Sequence, residues 1–253
     1  MRSPVDLRWF KMQKINIRGV AFANVDMREA LDFAKKNIID KKLSVIHTPN
    51  AEITQECIDD KSGEFYEIIN SADMVIPDGA GVVLASKILK TPLKEKVAGI
   101  ELAYKIIDYL DEIGGTLFLL GAKREVVEKA VNNLREKYKS LKVFYNDGFF
   151  DRDNPEENQK VLDKINESRA DAVFVCLGAL KLKQETWIFN NKDKINRGIL
   201  IGLGGTIDNI SGLSNKRAPR IFIKLNLEWF YRLVKNPGSF INLLILRGFF
   251  TSL

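Results

Sequence analysis

Ile76-Pro77-Asp78-Gly79-Ala80-Gly81-Val82-Val83 decides how this chain reads. A strand-like run, Asp73 to Ile76, breaks at Pro77, and a carboxylate then precedes two glycines and a new apolar period. A strand that delivers an acid and bare backbone to a helix N-terminus is how α/β proteins hold a phosphorylated ligand and act on it. Asp78 is therefore the first candidate for a reacting residue, with the backbone of Gly79 and Gly81 beside it. The competing reading is that Asp78 only N-caps the helix starting near Ala80, a position Asp suits well. The segment alone weighs the two readings about equally.

Outward from this point, strand-like and helix-like runs alternate for most of the chain. The strand candidates are Ile15 to Val20, Leu43 to His47, Asp73 to Ile76, Thr116 to Leu120, Leu141 to Tyr145, Ala172 to Leu177 and Gly198 to Leu203. Most are continuously apolar rather than alternating, the pattern of a parallel sheet covered on both faces. Asp26 and Glu29 form a capping-box signature opening a helix to Asn37. Glu125 to Tyr138 carries Val126, Val127, Ala130 and Leu134 on one stripe. The fold class is α/β: a mostly parallel, Rossmann-like sheet with helices on both faces. Residues 15–213 form the catalytic domain in this reading, 1–14 an N-terminal extension and 214–253 a basic, amphipathic helical appendage.

With 45% hydrophobic and 28% charged residues among 253, the composition is that of a soluble globular protein. Cys57 and Cys176 have no CxxC spacing and read as reduced, buried thiols of a cytosolic protein. Met1 to Lys14 lacks the apolar region of a signal peptide, so the expected location is cytoplasmic. The charge is unevenly placed. Ser214 to Leu253 holds seven basic residues against Glu228, a net +6 equal to that of the whole chain. In that tail, Ile221 to Val234 reads as one helix and Phe240 to Phe250 as a second apolar run. Eleven residues fall short of the roughly 20 that span a bilayer. The basic rims suit lying on an anionic membrane surface. Packing on the main domain, or on a second copy in a homo-oligomer, fits the composition equally well.

Ligands gather at the carboxyl ends of strands in an open parallel sheet. Those ends carry Thr48-Pro49-Asn50, Asp78-Gly79-Ala80-Gly81, Asp147-Gly148-Phe149-Phe150, the segment Gly178 to Glu185 and Gly204-Gly205-Thr206. Some apparent motifs are discounted. Gly202 to Ile207 lacks the third glycine of a dinucleotide fingerprint. Asp151-Arg152-Asp153 resembles a metal-binding DxD, but it precedes Asn154-Pro155 at a helix start, where acids commonly cap. His47 is the only histidine, which excludes zinc sites built from several histidines.

The assembled motifs resemble the WecG/TagA/CpsF glycosyltransferases. They are Thr48-Pro49-Asn50; Ile76 to Val83 with Lys96-Val97-Ala98-Gly99; Phe118 to Lys123; Asp147-Gly148-Phe149-Phe150; Gln184-Glu185-x-Trp187-Ile188; Gly204-Gly205; Arg217-Ala218-Pro219; and Glu228-Trp229-x-Tyr231-Arg232-Leu233. The resemblance runs in order from about Ile15 to Arg232. It implies an inverting, metal-independent transfer, without a cofactor, from a UDP-sugar to a polyprenyl-diphosphate-linked sugar at the inner membrane face. In the wall teichoic acid branch the donor is UDP-N-acetylmannosamine and the acceptor sugar N-acetylglucosamine. The family's base maps onto Asp78 and its pocket polar residues onto Thr48, Asn50 and Gln184. Lys96 stands where the family often has arginine, which keeps the charge but loses the bidentate fork. Ser239 and Asn242 replace common tail arginines, so diphosphate contacts at those two positions do not carry over.

This chemistry needs a base for the acceptor hydroxyl and stabilisation of the departing diphosphate. Asp78 suits the first. For the second, the candidates are the backbone at Gly79 to Gly81 and Gly204 to Thr206 together with Arg217 and Arg232. Lys96, Asp147, Gln184, Glu185, Gly204 and Gly205 complete the expected substrate-binding set. A paralogue using another UDP-sugar is the nearest alternative. A non-enzymatic basic module binding membrane or nucleic acid is the other, and it leaves Asp78, Gln184 and the glycine turns of a neutral domain unexplained. Nucleic acid is therefore not an expected partner.

Overall fold

The computed structural model describes residues 12–178 and 182–213. The tail helices expected within 214–253, with Arg217 and Arg232, and nearly all of the expected 1–14 extension lie outside the described residues.

The first strand run is a correction to the sequence reading. Instead of one sheet strand over Ile15 to Val20, the chain forms a two-stranded antiparallel hairpin, β1 (Lys14–Ile17) and β2 (Val20–Ala23). Arg18 and Gly19 both adopt positive φ, +52° and +95°, the two-residue turn whose twist matches the flanking strands. Asn16 fixes the turn by accepting the Gly19 N–H through its side chain at 2.9 Å.

The remaining six strands form one parallel sheet. They are β3 (Ser44–His47), β4 (Met74–Val75), β5 (Thr116–Gly121), β6 (Lys142–Asn146), β7 (Ala172–Cys176) and β8 (Ile199–Gly202). Their spatial order is β4-β3-β8-β7-β5-β6, and every pairing is parallel. The helices are α1 (Met27–Ile39), α2 (Ala51–Asp59), α3 (Glu64–Asn70), α4 (Ala80–Ile88), α5 (Gly99–Glu112), α6 (Arg124–Lys137), α7 (Pro155–Ser168), α8 (Lys183–Asn191) and α9 (Thr206–Ser211).

Two cores sandwich the sheet, and successive strand residues alternate between them as the pleat requires. Leu117 and Leu119 of β5 face the core of α1, α5, α6 and α9, whereas Phe118 and Leu120 face that of α2, α3, α4, α7 and α8. Both faces are thus buried along the inner strands, which is why those runs are mostly apolar, whereas the edge strand β6 leaves Lys142 and Phe144 exposed. Helix boundaries follow local chemistry. Asp26 and Glu29 form the expected capping box at α1, with reciprocal hydrogen bonds of 2.8 and 2.9 Å. At α7 the cap is Asn154, which accepts from the amides of Glu156 and Glu157, rather than either acid of Asp151-Arg152-Asp153. Asp151 instead accepts from the Asp153 amide in a local turn. Both cysteines are free and buried, and burial pushes each thiol up to about 12.

Candidate active site

Three neighbouring strands, β4, β3 and β8, bring their carboxyl ends together. The Asp78 amide donates to Pro49 O at 3.3 Å, and the Thr48 hydroxyl donates to Gly202 O at 2.8 Å. A third connection comes from the segment leading into α5, where the Val97 amide donates to Pro77 O at 3.0 Å. Asp78, Thr48, Asn50, Lys96 and Gly204 are therefore gathered by backbone and side-chain bonds that cross between loops.

The local reading that Asp78 N-caps α4 is overturned. Gly79 holds the N-cap position with φ +94°, and no side chain caps the helix. The positive φ turns the chain so that the Asp78 side chain points elsewhere, a conformation that suits only glycine without strain. The Asp78 carboxylate instead accepts from the Gly99 amide, 3.3 Å away, at the first turn of α5. Two helix N-termini thus flank the acid: α4 follows it in the chain, and the positive end of the 14-residue α5 meets it in space. Gly99 eases this approach, because a Cβ there would lie 3.1 to 3.2 Å from three atoms of the Thr48 side chain.

Asn50 caps α2, accepting the Ile53 amide at 3.0 Å through its side-chain oxygen. Its Cβ lies 3.8 Å from where a Cβ on Gly79 would be, so it borders the Asp78 turn. Gln184 and Glu185 occupy the first turn of α8 and are both 1% exposed. The Gln184 amide nitrogen donates to Glu185 Oε1 at 2.8 Å, and its carbonyl oxygen accepts the Gly204 amide at 3.0 Å. Gly202 makes room for them, since a Cβ there would sit 3.0 Å from Gln184 Nε2 and 3.2 Å from Glu185 Oε1. Burial pushes the Glu185 carboxyl up to about 7, only partly offset by the bond from Gln184.

The turn at Gly204 to Thr206 offers less to an anion than the sequence implies. The Gly204 amide is committed to Gln184, and the Thr206 amide to Leu203 O at 3.1 Å. By contrast, space is open beside Gly204 and Gly205, where an added Cβ would meet nothing within 4 Å. Asp147 is not brought to this group. It follows β6 at the far edge of the sheet, three strand positions from β8, or about 14 Å at the usual spacing. Its carboxylate accepts the Phe149 amide at 2.9 Å. A groove of about 620 Å³ between α7 and α8, lined by Phe150, Arg152, Lys183, Trp187 and Lys194 among others, contains none of the expected site residues.

An acid thus stands at two helix starts, at the joined ends of three parallel strands. The model of the glycosyl transferase WecG/TagA/CpsF family matches residues 15–250. The chain belongs to the WecG/TagA/CpsF family. A relative from Bacillus subtilis (strain 168), named N-acetylglucosaminyldiphosphoundecaprenol N-acetyl-beta-D-mannosaminyltransferase, is 33% identical over 89% of this chain and 85% of its own length. Relatives with the same name from Staphylococcus aureus (strain NCTC 8325 / PS 47) and Bacillus spizizenii (strain ATCC 23059 / NRRL B-14472 / W23) are 34% and 31% identical. They cover 87% and 95% of this chain, and 84% and 91% of their own lengths.

Within this WecG/TagA/CpsF member, the structure brings Asp78, Thr48, Asn50 and Gln184, which the sequence singled out, into one group, and places beside them three residues that the sequence did not. Gly99 was visible only as the last residue of the Lys96 motif, and its sign was a glycine opening a long helix. The Gly202 carbonyl carries no side-chain signal. His47 gave a signal, as the one histidine directly before Thr48, but nothing in the sequence showed what it faces.

Proposed function

We propose that this chain transfers N-acetylmannosamine from a UDP-sugar to polyprenyl-diphosphate-linked N-acetylglucosamine, with inversion, in synthesis of a cell-surface polysaccharide linkage unit. The observation that carries the reading is the Asp78 carboxylate, held between the starts of α4 and α5 at the joined ends of β4, β3 and β8. The name shared by the relatives supplies the acceptor and the sugar transferred.

In this mechanism Asp78 takes the proton of the acceptor hydroxyl as that oxygen attacks the anomeric carbon of the donor. The bond from that carbon to the diphosphate breaks, and the diphosphate leaves with its electron pair. The start of α4, where no side chain caps the first amides, stabilises the departing charge, with Lys96 as a further cation. Thr48 and Asn50 line the approach to Asp78, and Gln184 holds the Gly204 turn beside the open space. Arg217 and Arg232, outside the described residues, are the further cations of the proposal.

Among the described residues no three His, Cys, Asp or Glu side chains gather to hold a metal ion. Metal-independent transfer is part of the proposal, as the family resemblance implies. Among those residues, too, no helix is long and apolar enough to cross a membrane. In the proposal the enzyme works at the inner face, held to anionic lipid by the basic 214–253 segment.

The test is a screen of UDP-sugars against a short-chain lipid-diphosphate-N-acetylglucosamine acceptor, with and without EDTA. UDP-N-acetylmannosamine is expected to give the fastest transfer, unchanged by EDTA. Preference for another UDP-sugar would move the chain to a different branch of the family, and strict dependence on added manganese or magnesium would reject the metal-independent part.

A further inference from the structure

We propose that His47 and Glu185 form a buried pair bridged by one water, and that this pair is the positioning element for Gln184 and the Gly204 turn. The register of β3 and β8 aligns Val45 with Leu200 and Ile46 with Ile201, which sets His47 beside Gly202. Val45 and Leu200 share one core, and Ile46 and Ile201 the other, so His47 and Gly202 belong to the face that α2 and α8 cover.

Neighbouring strands lie about 4.8 Å apart. The missing side chain of Gly202 is replaced by Gln184 Nε2 and Glu185 Oε1, both within 3.2 Å of where its Cβ would be. The Glu185 carboxyl therefore occupies the side-chain place next to His47.

The unpartnered atoms point the same way. His47 is fully buried, with neither ring nitrogen hydrogen-bonded, and Glu185 Oε2 is buried without a partner although Oε1 accepts from Gln184. A buried polar atom left unpaired is costly, and a donor and an acceptor orphaned near each other without a direct bond are satisfied by a shared water. The other polar or titratable groups acting here are Gln184 on the same turn, Glu56 and Cys57 on α2, and Lys192 at the end of α8. Lys192 opposes a charged imidazole, Glu56 opposes a charged carboxylate, and burial opposes both. The favoured state is a neutral ring facing a protonated acid.

His47 directly precedes Thr48, whose hydroxyl holds Gly202 O. Glu185 orients the Gln184 amide so that its oxygen meets the Gly204 amide. One pair thus ties β3, β8 and α8 together beneath the site. The catalytic consequence rests on the transferase reading above; the pairing itself does not.

His47 is the only histidine in the full chain, so its ring nitrogens can be followed by ¹⁵N NMR without assignment. From about pH 5.5 to about pH 8.5 the ring is expected to stay neutral, while its signals shift with the ionisation of Glu185 near pH 7. Glu185→Gln, which keeps an acceptor for Gln184 and a polar group for the bridging water, should abolish that inflection. Glu185→Leu should lower kcat about tenfold, the effect of one misplaced buried hydrogen bond. A ring that protonates near its ordinary value of about 6.5, or an inflection unchanged in Glu185→Gln, would overturn the pairing. Should the variants not fold, the full wild-type chain decides, because a flat ring profile over that range rejects the pair. A responsive ring in a chain that transfers no sugar would keep the pair and remove the transferase reading.

Discussion

Replacing Asp78 by Asn separates chemistry from architecture at the proposed base. The side-chain oxygen that accepts the Gly99 amide at 3.3 Å has a counterpart in Asn, so the loop bond survives the substitution. What disappears from the fold is one negative charge at the positive end of α5, about 0.3 to 1 kcal/mol. For a chain of this size that is a fall in Tm of a few degrees, at about 2 to 4 °C per kcal/mol. What disappears from the reaction is the proton acceptor, expected to lower turnover about 10²- to 10⁴-fold. At about 1.36 kcal/mol per tenfold, the barrier rises by roughly 2.7 to 5.4 kcal/mol, several times the loss in stability. The assay pairs thermal unfolding and UDP binding with sugar transfer to the short-chain acceptor. A well-folded Asp78→Asn protein with near-normal turnover would refute the role of base, and unfolding at a much lower temperature would refute the structural reasoning.

Other perturbations probe other parts of the account. Gly99→Ala places a methyl 3.1 to 3.2 Å from the Thr48 side chain, and should cost about 1 to 3 kcal/mol together with a drop in activity; wild-type unfolding and kinetics would dismiss the close approach. Deleting 214–253 should abolish both partitioning onto anionic liposomes and turnover of a water-soluble acceptor, and Arg232→Ala should impair turnover while leaving adsorption largely intact. Full activity of the truncated chain would confine the segment to anchoring. Stability against pH tests the buried pair. The His47 imidazole, lowered to about 3 by burial, contributes stability that is lost as pH falls below its unfolded value, since the unfolded chain then binds the extra proton. Glu185, raised to about 7, acts oppositely, because the native state holds the proton while the unfolded carboxyl releases it, so stability falls as pH rises from about 4.5 to about 7. Between about pH 4.5 and 6.5 the two slopes cancel. Glu185→Gln should therefore become more stable relative to wild type, by roughly 1.4 kcal/mol per pH unit, as pH rises through that window, and denaturant unfolding at a series of pH values measures it.

The parallel sheet was legible because a strand buried on both faces has to be apolar throughout, and six of the seven runs proved to be its strands. The seventh was misread because Arg18-Gly19 is a weak turn signal, whereas the structure forms a hairpin there from two positive φ angles. Asp78 was identifiable from the break at Pro77 and the glycines after it. Its partner was not, because the Gly99 amide lies 21 residues away and is brought close by α5 packing rather than by local pattern. The same limit applied to Gln184 and Glu185. Their residue types suggested substrate contacts, but the bare face of Gly202 draws both into a floor where they are 1% exposed. Asp147 shows the converse: a strand-end acid in the chain can stand at the opposite edge of the sheet once strand order is known.

The most direct test of the central claim is the structure of the sugar product made by the full chain from UDP-N-acetylmannosamine and the lipid-diphosphate-N-acetylglucosamine acceptor. NMR of the purified product should show a new β-linked N-acetylmannosamine on the acceptor sugar, formed in step with UDP release and lost in Asp78→Asn. An α-linked product would contradict inversion with Asp78 as the base, and UDP release without any sugar on the acceptor would contradict the transfer itself.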